Sequence, residues 1–218
     1  MAKRRKVNNL LALAILSMLA TGRPMHPYEV ATLLRRTGKE RDMNVKWGSF
    51  YTVVQNLEKH GFIEATGSDR DGRRPERTVY TITPVGRDEL QDWVRELVAV
   101  PQAEFPPFVA ALSVLGVLPP DEVEHLLQAR VTALESAIQT QQSLLASATP
   151  HVPRVFLIED EYAVAMLEAE AAWVRSLLAE LADDTMPGLA QWRKYHETGE
   201  MDPQYLAMLF EGGQPTQT

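Results

Sequence analysis

Two groups of side chains in this sequence have the types and spacing to do chemistry, and in both the chemistry is non-covalent. The first is Lys46, Ser49, Tyr51, Thr52 and Gln55, polar donors and acceptors gathered within ten residues. The second is cationic: Arg70, Arg73, Arg74 and Arg77 around Asp71-Gly72, with Lys3, Arg4, Arg5 and Lys6 near the N-terminus. Guanidinium and ammonium groups pair with phosphate, while hydroxyl, phenol and amide groups contact phosphate oxygens or base edges. Covalent chemistry has little support. The chain has no cysteine, which excludes disulfides, thiolate zinc sites, iron–sulfur clusters and thiol switches. Nor is there a phosphate-binding glycine loop, a nucleophile elbow, a metal-ligand constellation or a catalytic pair, so the chain reads as a non-enzyme needing no metal or cofactor. His26 stands without a second ligand and reads as a hydrogen-bonding group at a helix entrance. Glu159, Asp160 and Glu161 are consecutive and cannot all face one point on a helix, so they read as charge favouring a helix N-terminus.

The elements that must hold these groups follow from hydrophobic periodicity. Val7, Leu10, Leu11, Leu13, Ile15, Leu16 and Leu19 give a first helix that ends before Gly22 and Pro24. Pro27 suits the first turn of a second helix reaching Arg36, with Val30, Leu33 and Leu34 on its apolar face. Ser49 is placed to cap a third helix carrying Phe50, Val53, Val54 and Leu57, which ends at Gly61. The period then changes. Phe62, Ile63 and Ala65 lead through Asp71-Gly72 to the alternating, β-branched run Thr78 to Thr83, which predicts a hairpin with its arginines at the tip. Three helices followed by a hairpin is the winged-helix order. Thr83-Pro84 opens a fourth helix to about Val98, with Leu90, Trp93, Val94 and Leu97 on one face.

The rest of the chain is acidic, alanine-rich and helical, and prolines mark its element ends. A domain boundary is expected near residues 99–107, giving an N-terminal domain of 1–98 and a helical domain of 99–218. Leu127, Val131, Leu134, Ile138, Gln141 and Leu145 form a heptad-like seam within residues 121–147. Ile158, Tyr162, Met166, Trp173 and Leu177 form a comparable stripe within 155–181. Helices of this length suit either a helical hairpin or an arm that pairs with a second subunit.

Charge separates along the same line. The net charge is −7, yet residues 1–90 hold 16 Lys/Arg against 10 Asp/Glu, and residues 91–218 hold 6 against 19. That division is expected where one end meets a polyanion and the other faces water or protein, and solvated acidic helices alone would also produce it. The apolar run Leu10 to Ala20 follows four basic residues in the manner of a signal peptide. It contains Ser17 and leads into Thr21-Gly22-Arg23-Pro24 rather than a small-residue cleavage site, so it reads as a buried helix in a cytoplasmic, non-membrane protein.

Three segments together resemble the PadR family of bacterial transcriptional regulators. They are the Leu-Ala-Leu-Ala-Ile-Leu run with Gly22-Arg23-Pro24-Met25-His26-Pro27-Tyr28-Glu29-Val30, then Gly48 to Ile63, then Gly72-Arg73-Arg74-Pro75-Glu76-Arg77 through Thr83-Pro84-Val85-Gly86. The match is close over roughly residues 8–95, and the helical remainder is similar to the longer branch with a virulence-activator-alpha-like C-terminal domain. Pro27 departs from the glycine usual after the histidine, and Phe50 from the commoner leucine. The resemblance implies a mainly α protein, an N-terminal winged helix-turn-helix and a C-terminal all-helical dimerisation domain. It further implies a homodimer bound to double-stranded operator DNA, usually as a repressor, and it carries Ser49 and Tyr51 over as DNA contacts.

Under that reading Lys46, Ser49, Tyr51, Thr52 and Gln55 face the major groove from the third helix. Tyr51 is either a base contact or a ring packed under the wing, and Gln55 either reads a base or merely faces water. Arg73 and Arg74 on the wing reach phosphate or the minor groove, and Arg77 does so or pairs with Glu76 or Glu64. Lys3, Arg4 and Arg5 belong to a basic arm that clamps DNA or stays solvated. Trp93, Tyr162 and Trp173 are candidates for a pocket holding a planar or phenolic effector, and aromatic residues at helical spacing are more often core. A rival function is a winged helix used for protein–protein assembly, against which the basic wing and arm argue.

Overall fold

The computed structural model describes residues 5–43, 45–69, 77–201 and 203. It divides into two compact units, Met1–Glu104 and Phe105–Thr218.

In the first unit, α1 (Leu10–Leu19), α2 (Pro27–Arg36), a short α3 (Lys39–Asp42), α4 (Phe50–Lys59), β1 (Ile63–Asp69), β2 (Arg77–Ile82) and α5 (Pro84–Ala99) follow in order. Helix α1 is the central element. Leu11 to Leu16 are buried without interruption, because α2, α4, α5 and β2 all pack around it. This accounts for its signal-like composition, since a helix walled on every side needs no polar face. Asn9 starts it by accepting a hydrogen bond from the Leu11 amide at 2.9 Å. The core is completed by Val30 and Leu34 of α2, Phe50, Val53, Val54 and Leu57 of α4, Ile63, Ile82, Leu90 and Trp93.

Helix α2 begins as the sequence suggests, with Pro27 in its first turn and His26 as the cap. The His26 Nδ1 accepts from the Tyr28 amide at 3.1 Å, and Glu29 accepts from the His26 amide at 3.0 Å. This reciprocal pair is a capping box in which histidine replaces the usual hydroxyl. The lone histidine therefore has the helix-entrance role expected of it.

The strands β1 and β2 are antiparallel, Ile63 opposite Ile82, with an extra residue between Ala65 and Gly67. Gly67 takes φ +146 at this bulge, a conformation that favours glycine. The bulge adds twist to the wing. Met25 pairs with Tyr80 as a further bridge and ties the turn before α2 to the sheet.

In the second unit, α6 (Pro107–Ser113), α7 (Pro120–Ala148), α8 (Ile158–Ala182) and α9 (Leu189–Thr198) are all helical. Helices α7 and α8 form an antiparallel hairpin: Arg175 donates to Glu135, and further along α7 Gln142 donates to Glu168, earlier on α8. The seam on α7 is as expected near its start, with Val123, Leu127, Val131 and Leu134 buried, and it opens toward Leu145. On α8 the expected stripe is not the packed face. Val164, Ala171, Val174 and Leu181 are buried, whereas Ile158, Tyr162, Met166 and Trp173 remain 47–65% exposed. Small residues allow α8 to approach α7 closely, and so the bulkier, more hydrophobic stripe faces outward. Leu177 alone of that set packs at the hairpin core.

Candidate nucleic-acid interface

Helix α4 is the third long helix and separates its residues cleanly. Phe50, Val53, Val54 and Leu57 are buried, while Tyr51, Thr52 and Gln55 are exposed on the other side, with Lys46 exposed just before the helix. Helical spacing of 100° per residue puts Tyr51, Thr52 and Gln55 within one arc, so the unit presents a phenol, a hydroxyl and an amide together. Tyr51 is 61% exposed, and its ring meets the Phe50 ring edge-on at 5.7 Å. It is not packed beneath the wing strands.

The start of α4 differs from expectation. Ser49 occupies the cap position but makes no side-chain capping bond; its hydroxyl donates to the Lys46 carbonyl at 2.9 Å. A 3₁₀ turn, Trp47–Ser49, precedes the helix instead. Trp47 is the residue that sequence reasoning passed over. Its ring lies 5.5 Å from that of Phe50, its indole N–H donates to Glu40 at 2.5 Å, and the Arg35 guanidinium covers its other side at 3.9 Å. A tryptophan one turn ahead of a recognition-type helix was the available signal.

The wing strand β2 is tied to α4 by the Tyr80 hydroxyl, which donates to Glu58 at 3.2 Å. Burial raises the Tyr80 pKa above the ordinary 10.0, and the neighbouring Glu58 carboxylate adds to the effect. A tyrosine whose folded value is raised stabilises the fold fully below the unfolded value, and that contribution is lost as pH rises through the folded one. Stability is therefore expected to fall above about pH 10, and Tyr80→Phe to flatten that alkaline limb. Denaturant unfolding at stepped pH from 9 upward, as an order-of-magnitude range about the tyrosine value, checks this. An identical limb in Tyr80→Phe would assign it to other groups.

Arg5 packs on α5. Its guanidinium is 4% exposed, bonds to Glu89 at 2.7 Å and to Glu96, approaches Asp92 at 3.5 Å, and lies over the Trp93 ring at 5.3 Å from its centre. Burial opposes its charge, but the bonds to Glu89 and Glu96 outweigh that and hold its pKa above the ordinary value. It is thus an anchor on α5 in the DNA-free chain rather than a solvated cation. Trp93, at 5% exposure and beneath Arg5, is part of the core of the first unit. Tyr162 and Trp173 are exposed on α8, and Phe108 meets the Trp173 ring edge-on at 6.3 Å. Lys3, Arg4, Arg73, Arg74 and the Arg77 side chain lie outside the described residues. Among the described residues no group of acidic, histidine or cysteine side chains is arranged to hold a metal ion, and no helix is long and apolar enough to cross a membrane.

A helix pair, a third helix with a polar outer face and a two-stranded wing define a winged-helix domain of the helix-turn-helix class. Residues 15–92 match the model of the Transcriptional regulator PadR-like family. The operator-bound structure of Bacillus subtilis PadR resembles it with a TM-score of 0.65 at 19% identity, over 79% of this chain and 99% of that one. The same protein in complex with p-coumaric acid gives 0.63 at 19%, over 79% and 99%. The Vibrio cholerae virulence activator AphA gives 0.60 at 19%, over 79% and 98%. At these identities the likeness is one of fold. No curated protein sequence matches the chain.

Proposed function

We propose that this PadR-like regulator binds operator DNA as a homodimer, with α4 in the major groove and the wing on the adjacent backbone, and acts as a repressor by occluding a promoter. The observation that carries the reading is the division of α4 into a buried apolar side and an exposed side bearing Tyr51, Thr52 and Gln55, with Lys46 at its head. Wing arginines Arg73, Arg74 and Arg77 and arm residues Lys3 and Arg4 supply charge for phosphate, which strengthens binding to all sequences. The helical unit serves pairing, because Ile158, Tyr162, Met166 and Trp173 leave on α8 an apolar stripe that a single copy does not cover.

A planar or phenolic effector, of the class that Bacillus subtilis PadR holds as p-coumaric acid, would act by favouring a dimer geometry that fits DNA poorly. Tyr162 and Trp173 are the aromatic candidates for it. Cytoplasmic location follows from the function.

Fluorescence anisotropy against the intergenic DNA upstream of its own gene and against a random duplex, at two salt concentrations, tests the reading. Selective, salt-sensitive binding is expected, with sedimentation giving a dimer. Equal, weak binding to both duplexes would favour a winged helix used for protein assembly. Tyr51→Ala is expected to lower specific affinity by roughly 1–3 kcal/mol, the size of one lost base contact. Equal losses on the two duplexes would move Tyr51 to a backbone role.

A further inference from the structure

We infer that Glu40, acting through Trp47, is a positioning residue that sets how the recognition helix meets DNA; the inference rests on the DNA-binding reading above. Helix α4 begins without a side-chain cap, since the Ser49 hydroxyl is turned back to the Lys46 carbonyl. Something else must fix the direction in which its first turn leaves the 3₁₀ turn. Trp47 does so from three sides. Phe50, 3% exposed and rooted in the core, meets one edge of the ring; the Arg35 guanidinium covers it; and Glu40 holds the indole N–H. Glu40 comes from α3, in the segment between α2 and the 3₁₀ turn, and it also reaches the Arg35 Nε at 3.9 Å. One carboxylate therefore fixes the ring and the cation on it together. The ring fixes Phe50, and Phe50 carries Tyr51 edge-on at 5.7 Å. Exposed Lys46 and Tyr51, on either side of this cluster, depend on it for their relative placement.

The arrangement predicts an effect whose sign is opposite to simple electrostatics. Glu40 is an acidic group beside a surface proposed to meet phosphate, so removing its charge should tighten binding to any DNA if it does nothing else. As a positioning residue, its removal should loosen binding to the correct sequence. Charge-assisted hydrogen bonds are strong enough for the loss to be large.

The test compares Glu40→Ala, Glu40→Gln and Trp47→Phe with wild type. Hydrogen exchange on the DNA-free protein is expected to quicken at residues 47–52 in Glu40→Ala and Trp47→Phe, with α1 and α5 unchanged. Anisotropy on the duplex from upstream of its own gene should show Glu40→Ala weaker by about tenfold, with binding to a random duplex unchanged or tighter. Glu40→Gln, which keeps an acceptor for the indole N–H, should recover most of the loss. Unchanged exchange at residues 47–52 overturns the inference whatever the DNA result. Tighter binding of Glu40→Ala to both duplexes also overturns it and leaves Glu40 a repelling charge. Failure of wild type to distinguish the duplexes counts against the operator reading instead, and the exchange measurement then decides the positioning role alone.

Discussion

Replacing Gly86 with alanine is expected to destabilise the N-terminal unit by about 3 kcal/mol, the upper end of the usual cost of overfilling a packed site. A Cβ at this position would lie 1.9 Å from the Phe62 carbonyl oxygen and 2.7 Å from its carbon. The obstacle is backbone, so no side chain can turn away to make room. The carbonyl is itself held, because the Thr83 amide donates to it at 3.0 Å. Thr83 completes the knot: its hydroxyl donates to the Gly61 carbonyl at 2.7 Å and accepts from the Gly86 amide at 3.0 Å, capping α5. Of the residues so joined, Gly61 and Phe62 lie between α4 and β1, and Thr83 between β2 and α5. Forcing α5 outward therefore disturbs the end of the recognition helix and the root of the wing together. Thermal unfolding followed at the N-terminal unit should shift down by roughly 10 °C or more, and specific DNA affinity should fall with it. Gly48→Ala is the control, since nothing lies within 4 Å of a Cβ there. If Gly86→Ala melts with wild type, the close approach at Phe62 is not a constraint on the fold.

The Thr83-Pro84 start of that helix was legible in the sequence, whereas the reason for Gly86 was not. Propensity and capping are local, so prolines, caps and period changes located α1, α2, α4, the hairpin and α5 to within a few residues. The close approach of two backbones is a tertiary fact with no local signal. The same division explains α8. Ile158, Tyr162, Met166 and Trp173 read as a core stripe because they are large and apolar, yet the hairpin packs through Val164, Ala171 and Val174. Hydrophobic periodicity tells which faces are apolar, not which of two apolar faces meets the neighbouring helix. On α5, likewise, Val94 was grouped with the core and is 43% exposed, while Leu90 and Trp93 are buried. At the candidate interface the sequence placed Tyr51, Thr52 and Gln55 on the outer side of α4 correctly. It missed Trp47, and it assigned Ser49 a capping bond, because the 3₁₀ turn shifts the geometry of the helix start by a residue or two.

Arg5→Ala is expected to cost on the order of 1–3 kcal/mol of stability, because it removes a partly buried cation whose guanidinium bonds Glu89 and Glu96. Composition groups Arg5 with Lys3, Arg4 and Lys6 as one cationic run, and the ion pairs of Arg5 on α5 are a tertiary fact that composition does not show. Glu89 and Glu96 are 14% and 17% exposed in their side chains, Arg5 only 4%, so water cannot fully replace the lost guanidinium. The Trp93 ring beneath it would be uncovered as well. Two readouts separate this anchoring role from a DNA contact. A cation that binds phosphate contributes about 0.9 to the slope of log affinity against log salt concentration, and its removal lowers that slope accordingly. An anchor contributes nothing to the slope, so Arg5→Ala should leave it unchanged while lowering stability. Arg5→Met, which keeps much of the packing on Trp93 without the charge, should separate the two parts of the loss: recovery of stability would show packing to dominate, and none would show the carboxylates to dominate. A reduced slope with unchanged stability would return Arg5 to the DNA-binding arm and mean that the α5 cluster opens when DNA is bound.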